Sequence, residues 1–213
     1  MGSSGSTDTE FSRRGVAPRY GRLTEPGPLA SLRRSFRRMN PGMVLLWRLG
    51  LGRFAELWPR GFGRLLVMEH VGRRSATTYR TPVNFTRADG DIYCVAAFGK
   101  RTDWYRNALA QGSILVWLPD GVWEAMVEDA SDDPARLDLM RRVLIDSGFA
   151  APLFGLYPTQ MTIEQLARAT AGYRLVRIRR VRRSKSDQYG DLAWVWPIGL
   201  AVLLAWRLLR RTR

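Results

Sequence analysis

Apolar residues recur at Leu29, Leu32, Phe36 and Met39 with helical spacing, and Arg33, Arg34, Arg37 and Arg38 fill much of the space between them. The pattern predicts a short basic amphipathic helix that Asn40-Pro41-Gly42 stops. A second, more apolar helix is expected in MVLLWRLGLGRFAELW, residues 43–58. From residue 64 the texture changes to short apolar runs of strand length. RLLVMEHV and YRTPVNFTR read as strands, ADGD as a hairpin turn and IYCVAAF as the next strand. TDWYRNALAQG reads as a helix, with Thr102 as its N-cap and Gly112 closing it. SILVWL and VWEAMVED follow as strands around a PDG turn. Two more helices are expected: ARLDLMRRVLIDSG after Pro134, and TIEQLARATAG behind a Thr162–Gln165 capping box. YRLVRIRRV is the last strand. Hairpin-joined strands with helices inserted between them predict a mainly β (α+β) antiparallel barrel. The absence of βαβ alternation argues against a Rossmann sheet.

The remaining segments divide the chain. Residues 1–27 are rich in Gly, Ser, Pro and Arg and read as a disordered basic tail, ahead of N-terminal helices over 28–60 and a barrel domain over 61–181. A basic linker is expected at 182–191. Residues 192–206 are uncharged and, with Leu208 and Leu209 beyond Arg207, make an apolar stretch over 192–209 just long enough for a transmembrane helix of about 27 Å. Trp194, Trp196 and Trp206 lie near its ends, where aromatic belts belong.

Charge sharpens this division. The formal net charge is +15, but residues 1–60 hold eleven arginines against four acids and residues 174–213 hold eleven Lys/Arg against two, so 61–173 is close to neutral. A neutral body with basic flanks argues against a nucleic-acid binder, whose charge belongs on the folded surface. It favours an anionic lipid partner and a place on the cytoplasmic face of a membrane, anchored by the C-terminal helix. One histidine, His70, and one cysteine, Cys94, exclude a disulfide framework and cannot by themselves make a zinc site. His70 reads as a sheet-surface residue.

Two basic turns interrupt the neutral body. Gly72-Arg73-Arg74-Ser75 offers backbone N–H groups, guanidinium forks and a hydroxyl, a set that suits a phosphate, although such a turn by itself is usually only solvated. Gly99-Lys100-Arg101 precedes a helix start, a second seat for an anion. On that helix Trp104 and Asn107 are three residues apart, an aromatic and an amide that could hold a flat ring.

The stretch from Leu65 to Ala110 resembles the deazaflavin-dependent nitroreductase family of actinobacterial split-barrel oxidoreductases. The resemblance rests on Gly72-Arg73-Arg74-Ser75, Arg80-Thr81-Pro82, Asp89-Gly90-Asp91 and Trp104-Tyr105-Arg106-Asn107, and covers about residues 40–181. It implies an FMN-binding-like split β-barrel that binds coenzyme F420, with Arg73, Arg74 and Ser75 on its phosphate and acidic tail. The ring would be lined by Pro82, Asn84, Ala97, Phe98, Trp104 and Asn107, with Gly99 and Lys100 of the second anion seat also on the cofactor and Tyr157 as an acceptor-side contact. The implied reaction is hydride transfer from the reduced deazaflavin to a quinone, nitro compound or similar small molecule. The alternative is a non-catalytic split barrel, or one that binds FMN or haem. Ala76 stands where that family has glycine. The sequence leaves the oligomeric state open.

Overall fold

The computed structural model describes residues 26–57 and 59–211, and the expected tail over 1–25 lies outside them. Six strands form the barrel: β1 Leu65–Val71, β2 Thr78–Ala88, β3 Asp91–Ala96, β4 Ser113–Leu118, β5 Gly121–Asp129 and β6 Arg174–Ser184. Every pairing is antiparallel, and the order β1-β2-β3-β6-β5-β4 closes on itself through β4 and β1. The fold is the split β-barrel that the sequence predicts. The β2–β3 hairpin turns on Asp89 and Gly90, both at positive φ, as a tight primed turn requires.

Alternation along the strands builds two layers. Leu66, Met68, Phe85, Cys94, Val116 and Ile178 point inward and fill the barrel. Outside it, Tyr93 and Leu175 pack under α3 Arg136–Asp146 and α5 Ile163–Ala169, with Met140 and Leu166 fully buried. Val67 and Trp117, facing out on the other side, are covered by Trp47.

Trp47 belongs to α1, which runs unbroken from Pro26 to Arg48 with Pro41 inside it. The expected stop at Asn40-Pro41-Gly42 is therefore corrected. Proline forfeits one backbone bond, while the anchored Trp47 holds the last turns in place, so packing overrides the local breaker. The expected second helix ends at Gly50, at φ 77, and Leu51–Leu57 continues as a 3-10 helix. The capping box of α5 forms as predicted. Helix α2, Asp103–Gln111, has Thr102 at its N-cap, but the Thr102 side chain makes no capping bond. Helix α3 starts at Arg136, two residues later than a first-turn Pro134 requires. A short α4, Ala150–Leu153, follows α3.

The expected membrane anchor is also corrected. Strand β6 runs to Ser184, inside the expected linker, and residues 187–194 form turns. The turn clasps the end of α1: Arg48 donates to both oxygens of Asp191 at 3.0 and 2.7 Å, and Leu192 N–H donates to the Arg48 carbonyl at 3.0 Å. The uncharged run is thereby cut. Only its part from Val195 belongs to the last helix, α6 Val195–Arg211, and the twelve residues before Arg207 span about 18 Å against roughly 30 Å of hydrocarbon. Among the described residues no helix is long and apolar enough to cross a membrane. The anchored membrane-face location falls with the span.

Candidate functional site

The barrel parts along one seam. Residues 78–84 of β2 pair only with β1, while β2 pairs with β3 from Phe85–Cys94 to Ala88–Asp91. Pro82 sits in the singly paired half, where its missing N–H costs no bond to β3. Past Cys94, β3 has no β2 partner, and a cleft of about 610 Å³ opens between the two strands. That volume lies within the usual range for small-molecule sites.

Five of the expected site residues line this cleft: Pro82, Asn84, Ala97, Phe98 and Trp104. Arg73, Arg74, Ser75, Gly99, Lys100 and Asn107 stand outside its wall, in the two neighbouring turns and on α2. Tyr157 is half exposed and does not line the cleft.

Part of the cleft wall is aromatic. Phe36 stacks on Phe154 at 6.0 Å, and Phe98 meets Phe154 edge-on at 5.6 Å. Tyr173 closes the group at 6.4 Å from Phe154. The helix that carries Phe36 also brings cations to the cleft. Arg33 and Arg37 of α1 both donate to Asp103 at 3.2 Å, which draws α1 across the opening to the start of α2. Sequence reasoning missed this contribution. The arginine stripe of α1 was visible, but nothing local told that Phe36 and its neighbours face a cleft formed by residues 43 to 137 positions later.

The first basic turn is tied to α2. Asn107, almost fully buried, accepts from the Arg73 backbone N–H at 3.3 Å and from Arg73 Nη1 at 3.0 Å. Within the first turn Ser75 Oγ meets Tyr79 Oη at 3.2 Å, and Thr77 N–H donates to Ser75 Oγ at 3.4 Å. The turn depends on Gly72: a Cβ there would lie 2.5 Å from Ser75 Oγ and 2.7 Å from Tyr79. Ala76 occupies the left-handed region at φ 52. This places local strain inside the turn expected to bind an anion.

His70 departs from expectation. It follows Leu66 and Met68 on the inward face of β1 and is 3 % exposed. Burial pushes its imidazole down to about 4, with the Asp103 charge opposing. Burial likewise pushes the Cys94 thiol up, which keeps it protonated and unreactive.

The residues present fit a flat, anionic cofactor. The cleft offers an aromatic wall for a ring, and the adjoining turns offer guanidinium and backbone donors for a phosphate. Thr102, on the wall, is 6 % exposed, and its hydroxyl has no hydrogen-bond partner within the protein.

No curated protein compared with the chain matches it. Among solved structures, a conserved hypothetical protein from Mycobacterium tuberculosis is similar at 15 % identity and TM-score 0.40, over 60 % of this chain and 80 % of that one. The haem storage protein HutZ of Vibrio cholerae is similar at 9 % identity and TM-score 0.38, over 58 % and 85 %. A protein described as an F420 reductase is similar at 16 % identity and TM-score 0.35, over 59 % and 94 %. In sequence, residues 50–147, from the turn after α1 to the close of α3, match the family of F420H(2)-dependent quinone reductases. Through that segment, just under half of its length, the chain is similar to this family.

Proposed function

We propose that the protein transfers a hydride from reduced F420 to a quinone, with nitro compounds as further acceptors. The observation that carries the reading is the seam cleft, with its aromatic wall and two basic turns beside it. Arg73, Arg74 and Ser75 would hold the coenzyme's phosphate and acidic tail by charge-assisted bonds. Pro82, Asn84, Ala97, Phe98 and Trp104 would form the walls around its ring. Reduced deazaflavin, when bound, supplies the hydride. The protein contributes position: the stacked Phe36 and Phe154 offer a flat acceptor an apolar surface, and α1 shields the opening from water. A quinone that takes up the hydride becomes a hydroquinone after one further proton, which solvent provides.

The test uses the full chain with reduced F420 and menadione. The expected result is saturable coenzyme oxidation, with slower turnover for a nitroaromatic acceptor. Parallel titrations with FMN and haem should show weaker binding. The reading is overturned if reduced F420 neither quenches tryptophan fluorescence nor is oxidised with either acceptor.

A further inference from the structure

The hydrogen bonds around His70 settle which of its nitrogens carries the proton, and the chain of reasoning starts at Arg73. Two Arg73 donors, the backbone N–H and Nη1, converge on Asn107 Oδ1. They fix the Asn107 amide, so its Nδ2 faces His70 Nδ1 at 3.3 Å. An amide NH2 can only donate, so Nδ1 must accept. The ring proton therefore sits on Nε2, which donates to Thr81 Oγ1 at 3.1 Å. Thr81 lines the cleft. A second arm runs from the same ring: Tyr79 stacks on it at 5.9 Å and holds Ser75 through its hydroxyl. The single histidine thus touches both ends of the Gly72–Ser75 turn through two different residues, one on α2 and one on β2.

We propose that His70 is a positioning residue for the anion-binding turn: as a neutral imidazole with its proton on Nε2, it orients Asn107 and so aims Arg73. This rests on the reading of that turn as the coenzyme's phosphate seat. A ring protonated on Nδ1 would turn a donor toward the Asn107 NH2. The amide would then have to flip, setting its NH2 against both Arg73 donors and breaking both bonds. The groups around the ring are Tyr79 and Thr81 from β2 and Asn107 from α2, with Arg73 reached through Asn107 and Asp103 of α2 more distant. His70→Asn retains an acceptor near the Nδ1 position, whereas His70→Leu retains none.

Two measurements on the full chain test this. Nitrogen NMR of the one histidine should show the Nε2–H tautomer near neutral pH, and a proton on Nδ1 would overturn the proposal. Binding of oxidised F420, followed by its fluorescence, should weaken about tenfold in His70→Leu, as loss of one or two hydrogen bonds implies. His70→Asn should recover most of that affinity, and Arg73→Ala should lose at least as much as His70→Leu. If Arg73→Ala binds like the wild type, the turn is not the phosphate seat and the proposal falls with that reading. If Arg73→Ala loses affinity while His70→Leu does not, the seat stands and His70 is not its positioning residue. Equal loss in His70→Leu and His70→Asn would show packing alone and would also overturn it.

Discussion

Three single residues carry measurable consequences. Ala76 adopts φ 52, a conformation that costs an L-residue with a Cβ about 1–2 kcal/mol. Ala76→Gly should relieve part of that and raise the melting temperature, unless added freedom in the unfolded chain cancels the gain. The glycine that the resemblance leads one to expect here is thus explained by geometry, and this chain adopts the conformation without it. Thr102→Val should raise the stability of the free protein by about 1 kcal/mol, because it removes a buried hydroxyl with no partner. The same change should leave F420 binding as it is, because the hydroxyl is sealed from the cleft; weaker binding would show that it reaches a ligand. His70 adds a pH dependence. Its pKa is pushed down to about 4 from 6.5, so the unfolded chain binds the proton more readily than the folded one. Stability should be complete above about pH 6.5, decline as pH falls toward 4, and level off below. Denaturant midpoints across that window, compared with His70→Leu, measure the effect. None of this was legible in the residue itself. His70 reads as a surface position because burial at a barrel end depends on what packs across it.

At the level of elements, local rules succeeded where local forces decide. The α5 capping box and the left-handed Gly112 at the end of α2 are satisfied within a few residues of chain, and both form as the sequence predicts. They failed where a distant contact decides. Pro41 lies inside α1 because Trp47, one and a half turns on, is fully buried against Val67 and Trp117. Proline is less favourable than alanine within a helix by about 3 kcal/mol, and Pro41 is exposed. Pro41→Ala should therefore stabilise the protein by up to that amount, read as a higher denaturant midpoint at unchanged slope. An unchanged midpoint would mean that α1 already bends at no cost there. The cleft was partly legible. Its wall residues on β2 and β3 follow from the strand runs, but the opening exists only because β2–β3 pairing stops at Phe85 and Cys94, a register that no local pattern encodes.

For the molecule as a whole, strand count and antiparallel pairing were readable from the runs and turns. Closure through β1 with β4 was not, since it joins strands separated by two others and a helix. Gly99 shows how tightly the closed form is packed. It has φ 62, and a Cβ there would lie 2.4 Å from the Gly172 carbonyl oxygen, backbone that cannot swing aside. Gly99→Ala should cost roughly 2 kcal/mol or more, with strain and clash acting together. Thermal unfolding within error of wild type would contradict that geometry. The uneven charge proved a less reliable guide. Many β6 arginines counted with the basic flank are spent on barrel carboxylates, as Arg177 is on Glu128 and Asp133, and Arg182 on Glu124.

The clasp between α1 and the turn before α6 also sets an order of assembly. Trp196 Nε1 donates to the Leu49 carbonyl across 147 positions of chain. At the usual 5–20 residues per second of synthesis, that separation takes roughly 7–30 s. Throughout that interval the end of α1 exists without this partner, and for nearly all of it Trp47 lacks Tyr189. A nascent chain halted before Asp191 should therefore bind a chaperone more avidly than the released protein.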